Sequence, residues 1–295
     1  MLQKVFSLIL LVSCLSARAA DKTKTYHKSY PLAAGDNVRI HNKFGKVDVH
    51  LWDKPEIQVD ITITVSGGDD EEAARLLDRI SVDDKKESNG SVYFETVIDN
   101  EDQKGHGDNR RKFTIDYSVS MPATQPLHLS DDFGSITIPD YKGTVELSSK
   151  FGSIETGHLA SVKSLDVQFG KATIAGMHDG ELTIKFSKAE ISEMSGDIHG
   201  AFDFCDVMRL SATTGLKSLD IDNSYTSLHV SLASGIPASF NISTHFGNME
   251  NASSYSIQRE GDHDDSFRKT YSGKSGDGSV SIRIHTEFST VHLRS

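Results

Sequence analysis

The chain has 295 residues, with 31 Lys and Arg against 42 Asp and Glu, a formal charge of −11, and two cysteines. The negative balance argues against nucleic acid or an anionic lipid surface as partner. Two cysteines, one of them inside an apolar leader, exclude a cystine framework.

The chain opens Met1-Leu2-Gln3-Lys4, runs through the apolar stretch Val5 to Val12 and reaches Ala17-Arg18-Ala19 before Asp21-Lys22. This pattern reads as a secretory signal over residues 1–19, cut after Ala19. Leu11-Val12-Ser13-Cys14 also loosely fits a lipoprotein box, which would leave Cys14 acylated. Either reading exports residues 20–295 to the periplasm, the cell surface or the medium. Cutting after Ala19 removes Lys4 and Arg18, leaves 29 basic against 42 acidic residues, a charge near −13, and retains only Cys205. No later stretch approaches the roughly 18 apolar residues of a spanning helix, so no transmembrane segment is expected.

Residues 20–35 carry little pattern and end in the turn signal Gly35-Asp36-Asn37. Val38 and Ile40 then lead into Phe44-Gly45-Lys46-Val47, a unit that recurs only from residue 127 onward. Between the two lies an excursion. Ile57 to Val65 alternates as a strand, and Ala73, Leu76, Leu77 and Ile80 have helical spacing behind an acidic first turn, with Asp69 and Glu72 placed as a capping box. Ser91–Ile98 and Phe113–Met121 read as further strands, and Asp99–Arg111 as a polar hairpin loop. The helix is expected to cover an open end or side of the stack.

The organising pattern follows. Phe133-Gly134-Ser135-Ile136 returns at Phe151, Phe169, Phe186, Phe204, Tyr225 and Phe246, at spacings of 18, 18, 17, 18, 21 and 21 residues. Such self-similarity is the signature of stacked units. Before each aromatic the apolar residues sit at even offsets, as in Leu147, Leu165 and Leu182 four residues ahead, with Gly200 the exception. After it they sit at odd offsets, as in Ile136, Ile154 and Ala172 at plus three. Period two on both sides of a fixed break is a strand, a corner and a strand, and not a helix. Reading the aromatics with the even offsets places them inside the stack as an interior ladder. Thr156 and Arg209 interrupt the apolar plus-five column, so a local distortion or a nearby edge is expected there. Cys205 occupies the corner slot that glycine fills in other units, a place for a small residue. Phe288-Ser289-Thr290-Val291 repeats the offsets once more and reads as a final rung.

These units specify an all-β chain, a β-solenoid of roughly 18–21-residue rungs with a small strand-helix-strand excursion near the N-terminus. Residues 20–295 form a single domain: 20–126 hold the N-terminal rung and the excursion, and 127–295 the main repeat stack with a polar loop at 259–278.

No Gly-x-Ser-x-Gly, His-Glu-x-x-His, phosphate loop or Cys-x-x-Cys is present. No catalytic, cofactor-binding or metal-binding residue is assigned. Asp262-His263-Asp264-Asp265 is the densest group of oxygen ligands, but it lacks the spacing of a calcium loop and reads as a solvated charged loop. The histidines are scattered: His41 and His50 do not converge by spacing, and His158 and His178 fall where surface turns between strands are expected. Glu146, Asp166, Lys171, Glu181, Lys188, Glu190 and Asp206 occupy outward positions, mixed in sign and without evident pairing.

With its leader, the excursion after Leu51-Trp52-Asp53-Lys54, the segment Tyr117-Ser118-Val119-Ser120-Met121-Pro122 and the Phe-Gly-Ser-Ile series, the chain resembles the bacterial adhesin-like β-solenoid families of unknown function, which themselves resemble auto-transporter adhesin heads. The resemblance implies a non-enzymatic, exported scaffold or surface-binding protein of the cell envelope, without cofactor, whose partner is a protein or a surface glycan. It brings no catalytic residues with it. Two other readings stand beside it: a polysaccharide lyase or hydrolase using two of the outward carboxylates on stacked rungs, and an envelope-stress or signalling protein that binds another protein.

Overall fold

A computed structural model describes residues 21–67, 70–99, 112–261 and 267–295. The leader with Cys14, the cap at Asp69, all but the first residue of the loop Asp99–Arg111 and the acidic cluster at 262–265 lie outside the described residues. The fold is all-β with one short helix, and its strands form one large mixed sheet that does not close on itself.

The N-terminal part contributes β1 (Lys22–Pro31), β2 (Val38–Lys43), β3 (Lys46–Leu51), β4 (Glu56–Ser66), α1 (Asp70–Asp78), β5 (Ile80–Lys86), β6 (Val92–Ile98) and β7 (Lys112–Met121). The repeats contribute β8 (Leu127–Asp132), β9 (Ser135–Ile138), β10 (Tyr141–Lys150), β11 (Ser153–Gln168), β12 (Lys171–Lys185), β13 (Lys188–Asp203), β14 (Val207–Ser224) and β15 (Ser227–Leu232). The remainder contributes β16 (Ala238–His245), β17 (Asn248–Ala252), β18 (Ile257–Arg259), β19 (Arg268–Lys274), β20 (Val280–Glu287) and β21 (Thr290–Arg294).

From β8 to β15 each unit pairs in parallel with the next, residue for equivalent residue: Leu147 with Leu165, Leu165 with Leu182, Ser153 with Lys171 and Lys171 with Lys188. A strand with one buried face pins its register, because a slip of one residue would turn every inward side chain to water. The two strand segments flanking each aromatic bury their alternate residues in one interior. Ile40, Leu129, Leu147, Leu165, Leu182, Ile221, Ile284 and Ile242 form one buried column, and Val47, Ile136, Ile154, Ala172, Ala189, Leu228 and Val291 another. Gly200 leaves a gap in the first column that the next inward side chain fills: a Cβ there would stand 2.6 Å from the Phe202 ring.

The aromatics themselves do not lie in that interior. Nine of them, Phe44, Phe133, Phe151, Phe169, Phe186, Phe204, Tyr225, Phe288 and Phe246, take φ between 50° and 65° and are 36–51 % exposed. The positive φ swings the side chain outward at the corner, so two consecutive residues, the aromatic and the one before it, face solvent. The residue after it then points inward, and this is where the parity changes. Glycine occupies that next position where strands crowd: a Cβ on Gly152 would lie 2.1 Å from the Gly134 carbonyl oxygen. Where it is Ser187, Cys205 or Thr226, the side chain is buried and donates back to the carbonyl two residues earlier, at 2.7 to 3.4 Å. Cys205 is thus a small corner residue, its thiol pushed up by burial.

Other departures from the sequence pattern have local causes. Thr156 stays in its column, buried between Ile138 and Ile174, and satisfies its hydroxyl on the Gly157 carbonyl. Arg209 is exposed because the rung of Phe204 holds one extra residue: Met208, not Val207, aligns with Ala189 and Leu228. The stretch 20–35 contains a ten-residue strand, β1, antiparallel to β4. Its inward-leaning Tyr26 and Tyr30 alternate with lysines, so no apolar run marks it. The polar stretch 259–278 contains β19, antiparallel to β16. His158 and His178 lie within β11 and β12, not in turns.

Chain order and spatial order part company at both ends of the stack. The excursion returns as β6 and β7 outside β2 and β3, and β4, β1 and β5 pair antiparallel around them, with α1 packed on β1, β4 and β5 through its Ala73 and Leu77 face. At the other end β20 and β21 insert between β14/β15 and β16/β17. Phe288 therefore stacks between Tyr225 and Phe246, and the last unit of the sequence is an inner rung.

A non-glycine residue at positive φ costs about 1 kcal/mol or more, and each offset ring contact returns about 0.5–1.5 kcal/mol. Phe169→Ala keeps the strained backbone and loses both contacts. It is expected to lower stability in urea unfolding by about 2 kcal/mol, and Phe169→Gly by about 1 kcal/mol less. Equal stability of Phe169→Ala and wild type would show that the stack contributes nothing.

Candidate functional site: the aromatic ridge and its surroundings

The nine exposed rings form one continuous ladder. Neighbouring centroids are 4.7–5.3 Å apart and the planes are within 3–8° of parallel at every step from Phe44 to Phe246. The spacing is set by the strands, which lie about 4.8 Å apart. The ends are closed as well. Phe113 of β7 meets Phe44 edge-on at 5.1 Å, and Phe267 leans on Phe246 at 5.0 Å. Every ring face is thus shared with another ring, and what reaches solvent is a row of ring edges. A sugar or base has no free face to stack on along the nine parallel rings, yet their edges make an apolar ridge roughly 40 Å long, eight steps of about 4.8 Å.

On each side of the ridge stand the residue before each ring and the second residue after it. Lys43 and Lys46 flank Phe44, and Lys150, Lys171, Lys185 and Lys188 flank Phe151, Phe169 and Phe186. Asp203 and Asp206 flank Phe204, and Glu287 precedes Phe288. The ridge therefore changes sign along its length within a chain that is acidic as a whole. A shallow depression of about 430 Å³ lies over its Phe44 end, between Phe113, Asp116, Phe133 and Lys46.

Beneath Phe133, Asp131 is fully buried between Asn42 of β2 and Ser149 of β10, and neither carboxyl oxygen has a hydrogen-bond partner among the described residues. The Asn42 amide donates to the Ile115 carbonyl at 2.9 Å, and its nearness to the carboxyl offsets only part of the effect of burial. Burial, reinforced by the neighbouring Asp132 charge, pushes the Asp131 carboxyl up to about 7. A carboxyl so displaced invites an acid–base role, but this one has no exposed atom to meet a substrate.

Further depressions lie over the strand faces. One, about 710 Å³, is lined by Arg39, Asp84, Tyr93 and Glu95 among others. Three of its carboxylates are already engaged: Asp84 accepts from Tyr30 and pairs with Lys28 at 2.8 Å, Tyr93 donates to Glu95, and Glu87 pairs with Lys85 at 3.0 Å. A second, of about 370 Å³, brings together Asp140, His158, His178, Glu193 and Ser195, residues one rung apart in the sequence and side by side in space. His158 sits between Asp140 at 3.2 Å and Glu193 at 3.4 Å, which raises its pKa, and Asp140 is held low by the His158 backbone N–H. His178 contacts the Ser195 hydroxyl at 2.9 Å and Asp179 at 3.5 Å. This is the residue set of a serine-hydrolase relay, but His178 and Asp179 are about half exposed, so water competes with both contacts. The third depression, about 270 Å³, lies over Gly200 and gathers Glu181, Asp220 and Asp222. Asp220 leans toward Arg283 at 3.6 Å.

Of the outward residues singled out by sequence, Lys171, Lys188 and Asp206 flank the ridge, Glu181 shares the third depression, and Glu146 is tied to Lys163 at 2.6 Å and His128 at 3.3 Å. His41 stands 3.6 Å from Glu95, and His50 is exposed at the end of β3. The His178–Ser195 contact was readable from the 17-residue period and is missed when each residue is weighed alone. Among the described residues no group of three or more His, Cys, Asp or Glu is placed to hold a metal, and no helix is long and apolar enough to cross a membrane.

No protein-family model and no curated protein matches the chain. Among solved structures, a proposed adhesin from Bacteroides fragilis matches at 9 % identity and a TM-score of 0.36, over 92 % of this chain and 97 % of its own. A proposed lipid-binding protein from Parabacteroides distasonis matches at 11 % and 0.31, over 91 % and 96 %, and a proposed cell adhesion protein from Clostridium sporogenes at 10 % and 0.29, over 92 % and 99 %. Likeness at this level says nothing of ligand or activity.

Asp131 has a folded-state pKa raised above its unfolded value near 3.8. The folded chain therefore holds that proton more tightly, and its contribution favours folding below about pH 4 and is lost as pH rises toward about 7. Asp131→Asn is expected to remove this loss, so that the stability gap between variant and wild type widens from pH 4 to pH 8 by about 4 kcal/mol. Urea midpoints at several pH values measure it, and a gap independent of pH refutes the assignment.

Proposed function

We propose that this chain is an exported, non-enzymatic β-solenoid that acts by surface contact, as an adhesin-like binding module or scaffold of the cell envelope. Export rests on the leader at residues 1–19, and the solenoid on the in-register parallel stacking of successive units.

The observation that carries the reading is the aromatic ridge. A phenylalanine side chain presents about 200 Å², so nine rings at 36–51 % exposure leave roughly 800 Å² of continuous apolar edge in water. The largest apolar patch on an ordinary monomer is about 300–600 Å², and patches beyond that size mark interaction surfaces. A catalytic site gathers convergent polar groups in an enclosed hollow, whereas this surface is convex, linear and built from repeats. Charged residues along both flanks keep the chain in solution and set the orientation of whatever meets it.

The test combines binding with turnover. The chain without residues 1–19 is expected to sediment with cell-envelope material, to release no reducing or unsaturated sugar ends from a polysaccharide panel, and to leave a fluorophosphonate probe unreacted. Product release abolished by Asp220→Asn or Asp222→Asn, or probe labelling abolished by Ser195→Ala, would replace this reading with an enzymatic one. Failure to sediment with any envelope fraction would remove the binding claim.

A further inference from the structure

The charges beside the ridge are arranged so that the ridge is complementary to itself. At its centre Lys185 and Lys188 flank Phe186, and on the next rung Asp203 and Asp206 flank Phe204, Asp203 in register with Lys185 and Asp206 at the extra residue of that unit, just before Val207. Among the described residues these four, and Lys150 two rungs away, make no ion pair within the chain. Like signs stand across the ridge from each other and opposite signs follow each other along it.

Such an array favours some ways of meeting a second copy over others. If two ridges meet in parallel about a two-fold axis along the ladder, Lys185 faces Lys188 and Asp203 faces Asp206, and like charges so placed are costly. If they meet antiparallel with the axis at Phe186, each Lys185 faces its own copy, and with the axis at Phe204 each Asp203 does. With the axis midway between Phe186 and Phe204, Lys185 faces Asp203 and Lys188 faces Asp206, while Lys150 faces Glu287, which already pairs with His245 at 3.7 Å and His285 at 3.6 Å within its own chain. The charges nearest the axis are then opposed by opposite charges, and eight of the nine rings lie against eight. We propose that the ridge is the interface of an isologous antiparallel homodimer in this register. The proposal rests on the reading of the ridge as the contact surface and names the partner it takes.

The area is adequate. Eight half-exposed rings offer at most roughly 800 Å² per copy, and the flanking side chains add the rest of what a partner contributes to a standard interface of about 800 Å² a side. The geometry of approach is edge to edge, with the flanking side chains closing over the seam and excluding water from it. Pairing of exposed charges in the rim makes the dimer sensitive to salt.

Charge reversal tests this on surface positions that leave the fold intact. At about 100 µM and low salt, where a Kd tighter than that populates the dimer, sedimentation velocity is expected to give twice the chain mass. K185E/K188E and D203K/D206K are each expected to weaken self-association about 100-fold or more and to run as monomers. An equimolar mixture of the two is expected to form a heterodimer, since each then carries the complement of the other, and the fourfold variant is expected to dimerise again. A monomeric wild type, or a dimer indifferent to both reversals, overturns the proposal. The same variants separate this from the broader reading. If the wild type is monomeric but K185E/K188E loses sedimentation with envelope material, the ridge is a contact surface for another partner. If neither property changes, the ridge is not the contact surface at all.

Discussion

Everything in this fold turns on a backbone conformation that the side chain occupying it disfavours. The corner between the two strand segments of each unit needs a residue at positive φ, and nine times it is filled by phenylalanine or tyrosine, not glycine. A single such corner would be a net loss. Repetition reverses the balance, because the same rotation that strains each backbone lays the ring against its neighbours above and below. The stack therefore holds the corners in line, the corners hold the two flanking segments on one interior, and the alternation along those segments fills it. Local strain and long-range packing stabilise each other only when the units are in register, which is the condition for a cooperative structure.

The same geometry explains why so large an apolar surface remains outside. Burying the rings would require the corner residue to obey the alternation of the strand before it, and then no parity change would occur. Turning them outward places the small residue that follows under the corner, where backbones approach too closely for a Cβ at Gly134 and Gly152. The ridge is in this sense a by-product of making the turn, and its flanks carry the charge pattern that gives it a direction.

The repeat, its period, the parity change at the corner and the strand alternation were legible in the sequence because each follows from side-chain periodicity. The side on which the rings lie was not. Alternation predicts inward rings, and only the sign of φ, which leaves no mark on composition, decides otherwise. Gly200 breaks the apolar column in the sequence because Phe202 fills its place in space, and Thr156 stands in an apolar column because its hydroxyl bonds the adjacent Gly157 carbonyl. β1 was hidden because the inward-leaning tyrosines of an outer strand alternate with lysines and not with apolar residues. For the candidate site, the outward residues could be named from the sequence, but which of them meet depends on adding one period to each number. His178 with Ser195 and Asp140 with His158 become neighbours only by that step.

The placement of residues 280–294 between two earlier units has a consequence for assembly. A chain made in order from its N-terminus lays down the strands on both sides of that slot before the segment that fills it arrives. Until then two raw backbone edges face each other, and pairing so distant in sequence is slow to form. The segment acts as a keystone: once seated it locks the arch from within, and the chain cannot fray from that end one rung at a time.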